Sequence, residues 1–361
     1  MKKLALVLGS LLIAATASAK EVVAAPVVVA EPVVVEEVVA PVEVPKFKPS
    51  GFVAFEEKYY GAGEHDKVTQ NYLRSEFSGS VTMTEADTLQ FRVRSYDDLN
   101  GSNSDVANAG GSKSENTETR YRWLHKFGNI GDSKIGFATR VELLQRDDYD
   151  KVELQTRFNF AEYVPQFDGF ETTDLTLAPK VRYVSYGETD DSATGVGMDL
   201  SHYAILPWGF EWDLTVYYLY NDNSANGYFN SSQYPNGSKW GHASAENLKD
   251  GNYTKSGNNI DVEAYLYNTQ KLWSSEDNFY NVNFYAEGGL DALTYRDGSA
   301  DTNNNSMYVM PELQLIMNIN AATSLTVAGG AEYRNWNDDE MSSIKDFTWQ
   351  PYGRVKIKTT F

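Results

Sequence analysis

Trp349-Gln350-Pro351-Tyr352-Gly353-Arg354-Val355-Lys356-Ile357-Lys358-Thr359-Thr360-Phe361 closes the chain, and its reading decides the fold. Counting back from Phe361, one set of alternate residues is Phe361, Thr359, Ile357, Val355, Gly353, Pro351 and Trp349. The other is Thr360, Lys358, Lys356, Arg354, Tyr352 and Gln350. Successive side chains of a strand point to opposite faces, so one face is apolar and the other carries three cations mid-strand. A sandwich strand in water also alternates, but nothing in a sandwich asks for cations along the whole polar face. A barrel strand whose outer face meets lipid and whose inner face meets water does.

Working upstream, the same period-two pattern recurs. Leu89, Phe91 and Val93 alternate with Gln90, Arg92 and Arg94; Val152, Leu154, Phe158 and Phe160 alternate with Glu153, Gln155, Arg157 and Asn159. The runs number about 14, centred near Phe55, Phe77, Arg92, Tyr121, Phe137, Thr156, Val181, Leu200, Leu214, Val262, Val282, Leu313, Val327 and Val355. Connections alternate between short ones (84–87, 128–133, 206–209, 318–322) and long polar ones (100–116, 221–257, 296–305, 335–343). Short periplasmic turns and long external loops mark an outer-membrane barrel. The connection 161–173 is long for a turn, and 146–151 short for a loop. The expected fold class is all-β: a transmembrane antiparallel β-barrel over 51–361. Pro179, Pro311 and Pro351 fall within expected strands, and since proline removes a ladder donor, local bulges are expected there.

The other end of the chain addresses it. Met1-Lys2-Lys3, an apolar run from Leu4 to Ala15 and the small-residue site Ala17-Ser18-Ala19 form a secretory signal peptide, 1–19. Its removal takes the formal net charge from −19 to −21. Residues 20–50 repeat valine runs cut by Glu and Pro, and Pro26, Pro32, Pro41 and Pro45 favour extended chain; they are expected to be a periplasmic tether, the alternative being a plug or partner-binding strand. With 31 basic against 50 acidic residues the chain is no nucleic-acid binder. With no cysteine there is no disulfide or thiolate metal site.

A charge facing lipid is costly, so the polar faces must meet water or one another. The early strands place Arg74, Arg92, Arg94, Arg120, Arg122, Arg140, Arg157, Lys180 and Arg182 inward; the later ones place Glu211, Asp213, Asp261, Glu263, Glu287, Glu312 and Glu332 inward. The expectation is a basic wall facing an acidic wall. Glu76, Glu118, Glu142 and Glu153 sit among the arginines, so cross-strand ion pairs with no transport role are the alternative. A symmetric turn at 128–133 sets Arg122 near Arg140 on the next strand, where like charges need an offset. Outward aromatic residues near strand ends, among them Trp123, Phe127, Phe158, Trp212, Tyr218, Tyr220, Phe347 and Trp349, suit membrane interfaces. Nothing points to catalysis: Ser201 and His202 lie on opposite faces, and the clusters Asp147-Asp148, Asp190-Asp191 and Asp338-Asp339-Glu340 lack a calcium-loop spacing. No metal and no cofactor is implied.

Several pieces resemble a known family, the fusobacterial FomA-type major outer-membrane porins. They are MKKLALVLGSLL at the start, the Val/Pro/Glu-rich stretch after Lys20-Glu21-Val22, TEADTLQFRVRS (Thr84 to Ser95), YAEGG (Tyr285 to Gly289), AEYRN (Ala331 to Asn335) and the terminal WQPYGRVKIKTTF. The resemblance implies a trimeric, general-diffusion porin in the cell outer membrane, with voltage gating a further possibility of the family. The terminal Phe361 resembles the signal by which barrel assembly machinery recognises outer-membrane proteins. From the residues alone, the expected function is passive diffusion of small hydrophilic solutes and ions, with weak cation preference. The rival is a surface adhesin or receptor whose loops bind a partner. The segment 221–257, rich in Tyr228, Tyr234, Trp240 and Tyr253, is the candidate lid.

Overall fold

The computed structural model describes residues 47–63, 71–99, 117–146, 149–186, 192–223, 256–296, 304–335 and 347–361. The signal peptide, nearly all of the tether, the three acidic clusters and the body of the candidate lid lie outside them.

Fourteen strands follow in chain order: β1 (Ser50–Tyr60), β2 (Tyr72–Thr82), β3 (Asp87–Asp98), β4 (Glu118–Asn129), β5 (Gly136–Gln145), β6 (Tyr149–Asn159), β7 (Glu171–Tyr186), β8 (Ser192–Leu206), β9 (Phe210–Asn223), β10 (Ser256–Ser274), β11 (Tyr280–Arg296), β12 (Asn304–Asn318), β13 (Thr323–Asn335) and β14 (Phe347–Thr360). Every expected strand centre falls inside one of them. Each strand pairs antiparallel with its sequence neighbours, and β1 pairs with β14, so the sheet closes and leaves no edge. The seam runs from Phe52 opposite Thr360 to Tyr60 opposite Tyr352. At its lower end the Gly51 amide donates to the Phe361 carbonyl at 2.9 Å, and the Phe361 amide donates back at 3.1 Å. A Cβ on Gly51 would stand 2.1 Å from the Ser80 carbonyl oxygen, so only glycine lets β2 approach there.

The sidedness follows the alternation. Phe55, Phe77, Val181, Val196, Leu313, Val355 and Ile357 are exposed, while Ala54, Glu56, Lys58, Lys180, Glu312 and Tyr352 are buried. An apolar exterior around a charged interior is the pattern of a barrel solvated by lipid. Aromatic rings gather toward both ends. At the rim bearing the termini, Phe127 stacks on Phe137 at 4.9 Å and Phe137 on Phe158 at 5.6 Å. Beside them the Trp123 indole donates to Asp87 at 3.1 Å and His125 Nδ1 lies 2.8 Å from the same oxygen. At the opposite rim Tyr333 packs on Trp349 at 4.8 Å. The outward run from Trp349 to Phe361 spans about 40 Å along the strand, roughly 30 Å along the axis at the usual barrel tilt, enough to cross a hydrocarbon core.

One expectation needs correcting. The prolines cause no bulges: the register shifts lie between Lys126 and Gly128, Thr172 and Asp174, Val262 and Ala264, Lys271 and Trp273, and Leu290 and Ala292. Instead the ladder lapses beside Pro179 and Pro311 and resumes in the same register. Beside Pro179, β6–β7 pairing skips from Gln155–Lys180 to Phe158–Leu177; beside Pro311, β12–β13 pairing skips from Val309–Tyr333 to Glu312–Gly330. Pro351 sits where the β1 ladder ends. A missing N–H removes a bond, but it demands no extra residue. The long connection 161–173 is also internally built, with a 3-10 turn at Ala161–Tyr163 and an isolated bridge between Phe167 and Phe170, whose rings stack at 4.8 Å.

Candidate functional site

The inner face divides into two arcs. The first covers β1–β8 and continues through β12–β14, and it is an ion-pair lattice. Arg74 pairs with Glu56, Arg92 with Glu118, Arg122 with Glu142 and Lys180 with Asp199; Arg94 pairs with Glu76 at 2.6 Å. Several carboxylates are shared. Glu142 also takes Lys151 at 2.6 Å, Glu118 takes Arg146 at 3.7 Å, and Glu153 takes Arg182 at 2.9 Å and Arg140 at 3.6 Å. Across the seam Arg354 reaches Glu312 and, at 3.3 Å, Glu56. Gln155, fully buried, donates to Asp199 at 2.7 Å and Glu153 at 3.0 Å, and accepts from Arg157 at 2.9 Å. The side chains of Arg74, Arg92, Arg94, Arg122 and Arg140 keep 18 to 27% of their surface accessible. Their carboxylate partners lie deeper, against the wall.

The second arc covers β9–β11. Its described inward side chains include Glu211, Asp213, Asp261, Glu263 and Glu287, with Lys271 near the lower end of β10. Phenols hold two of the carboxylates here, Glu211 and Glu287. Tyr203 donates to Glu211, Tyr308 donates to Glu287, and Tyr285 donates to the other Glu287 oxygen at 2.5 Å. Tyr217 lies opposite Asp199 on one side and Asp261 on the other. It interacts electrostatically with Glu263 and, from the far arc, with Arg122. β4 and β9 are five strands apart, so this interaction runs across the barrel interior.

The expected wall-against-wall arrangement is therefore corrected on both sides. The basic wall is interleaved with carboxylates, because Glu76, Glu118, Glu142 and Glu153 share the arginines' face and level. The acidic wall is narrower than expected: Glu312 is paired with Arg354 and Glu332 with Arg334, which belongs to the lattice. Arg122 lies opposite Glu142, while Arg140 lies opposite Leu124. The turn is centred nearer Asp132 and Ser133 than a symmetric 128–133 turn, and a bulge at Phe127 adds a residue. The like-charge pair is instead Arg92 opposite Arg120. Sequence reasoning set Tyr352 on the inner face but gave none of the inward tyrosines a role. Besides those of the second arc, Tyr352, Tyr60, Tyr72 and Tyr96 form a buried row on β14, β1, β2 and β3, with Tyr60 stacked on Tyr72 at 4.4 Å and Lys58 Nζ 3.7 Å from the Tyr352 ring centre.

The class these features define is a closed antiparallel barrel with an apolar exterior and a charged inner face. No family model matches the sequence, and no curated protein matches it. Among solved structures the chain is similar to a bacterial polysaccharide outer membrane secretin, at 7% identity and a TM-score of 0.41, covering 86% of this chain and 98% of that one. It is also similar to the COG4313 outer membrane channel from Pseudomonas putida F1, at 10% identity and a TM-score of 0.32, covering 88% and 97%. A third is the trimeric form of OmpT, an outer membrane protein of Vibrio cholerae, at 9% identity and a TM-score of 0.34, covering 87% and 99%. The barrel stands on its own strand pairing rather than on these likenesses.

Proposed function

We propose that the chain is an outer-membrane diffusion channel for small hydrophilic solutes and ions. It sits in outer-membrane lipid, needs no cofactor or energy source, and discriminates by lumen width and by the field between its two arcs. The observation that carries the reading is the solvent access of the inward arginines. A protein core excludes water from its charges, whereas these guanidiniums remain accessible on a face that points away from lipid. The FomA-type resemblance extends the proposal to a homotrimer inserted by barrel assembly machinery that recognises Phe361. Purified protein in a planar bilayer is expected to give discrete conductance steps with weak cation preference. A bilayer that stays silent after verified insertion of folded protein overturns the reading.

A further inference from the structure

We propose that the lumen contains a discrete binding site for a small oxyanion, centred on Arg120. The proposal deepens the channel reading and rests on its water-filled lumen.

The register sets the problem. Arg120 on β4 lies directly opposite Arg92 on β3, and its other neighbour, on β5, is Leu144. Arg122 follows two residues along, on the same face. Like charges placed opposite each other across a ladder are unfavourable. The two carboxylates that interact with Arg120, Glu118 and Glu142, are both engaged elsewhere: Glu118 holds Arg92 and Arg146, and Glu142 holds Arg122 and Lys151. Both carboxylates are thus already held by other cations, and among the described residues Arg120 makes no ion pair within 4 Å.

A second observation concerns donors. The Nε atom of Arg92, the residue opposite Arg120, is buried and has no hydrogen-bond partner. A buried donor without an acceptor is costly, and here the missing acceptor coincides with missing negative charge. One small oxyanion supplies both. A guanidinium fork binds two oxygens of one oxyanion in parallel, which the monatomic chloride ion does not offer. Arg120 is partly accessible on the inner face, beside Arg122, which interacts electrostatically with Tyr217 of the other arc. A bound anion therefore occupies the conducting path.

The test uses the full-length mature barrel refolded in detergent, with inorganic phosphate as the probe in calorimetry and then in bilayer recording. Wild type is expected to bind phosphate saturably, with chloride conductance falling over the same concentration range. Arg120→Gln is expected to weaken binding by about tenfold or more, the usual weight of a charge-assisted pair. Lys358→Gln, on β14 with its Nζ 4.6 Å from the Phe52 ring centre, is expected to leave binding unchanged. Should Arg120→Gln misassemble, Arg120→Lys keeps the charge without the fork and is expected to weaken binding measurably. Non-saturable heat, wild-type affinity in the Arg120 variants, or an equal loss in Lys358→Gln overturns the site. Conductance steps without saturable phosphate binding overturn the site alone. Saturable binding lost in Arg120→Gln, in a barrel that gives no steps, supports the site and overturns the channel reading.

Discussion

The β3–β6 arc and the β9–β11 arc line the same lumen and solve the same problem in opposite ways. Each must keep carboxylates on a face that a membrane barrel turns away from lipid. In the first arc Glu118, Glu142 and Glu153 are each clamped by two cations. In the second Glu211 and Glu287 are held by phenols. A phenol donates a hydrogen bond without cancelling the charge. Glu211 and Glu287 thus remain at least partly accessible, whereas Glu118, Glu142 and Glu153 are buried behind the cations they hold. What separates the walls is the chemistry of the groups holding each carboxylate, as well as the tally of acids and bases.

The largest test removes one clamp. Glu142→Gln strips the shared partner from Arg122 and Lys151, and breaking a buried pair typically costs about 3 kcal/mol or more. The refolded barrel is expected to lose that much stability in urea. The matching change on the other arc, Glu287→Gln, is expected to cost about 1 kcal/mol, the weight of a hydrogen bond. Equal losses would break the comparison. Next, replacing Arg92, Arg94, Arg122 and Arg140 together with glutamine is expected to move the reversal potential in a salt gradient clearly toward cations. An unmoved potential would show that these arginines lie off the conducting path. Raising the salt is expected to shrink the wild-type cation preference, since screening is effective over about 8 Å at physiological ionic strength. A smaller effect sharpens the role of the phenols: Tyr308→Phe is expected to cost about 1 kcal/mol while leaving ion selectivity nearly unchanged, because Glu287 keeps its charge.

The smallest concerns the turn joining β10 to β11. The Ser275 hydroxyl and the Phe279 amide hold the fully exposed Asp277 carboxyl below the ordinary aspartate value of 3.8. Its folded-state value being depressed, its support is complete above that ordinary value and is lost as pH falls through the lower one. Faster exchange of the Phe279 amide proton below about pH 4, relative to Asp277→Asn at the same pH, checks it.

How much of this was legible in the sequence depends on what a strand repeats. Side-chain sidedness repeats every two residues and survives any slip of a neighbouring strand, so Arg92 and Phe91 could be assigned to opposite faces without knowing what lay beside them. Pairing has no such local signature. That Arg122 meets Glu142 depends on where the 130–135 turn is centred and on one bulged residue, and neither leaves a periodic trace. The phenols were missed for another reason. Tyrosine suits an interface, a core or a lumen equally, so the inward parity of Tyr217 or Tyr308 says nothing until a carboxylate is known to stand beside it.

The seam between β1 and β14 has a bearing on the order of events during synthesis. Phe52 and Thr360 face each other although roughly 300 residues separate them along the chain. Every other ladder joins sequence neighbours and is available as soon as a hairpin emerges. The closing ladder, with the highest loop-closure cost, must wait for the final residues. Until then the first strand offers an unpaired edge, and such edges template aggregation. The same adjacency makes the chain a candidate for circular permutation: joining its ends across Gly51 and Phe361 and reopening it at residues 146–148 should preserve every rung of the ladder.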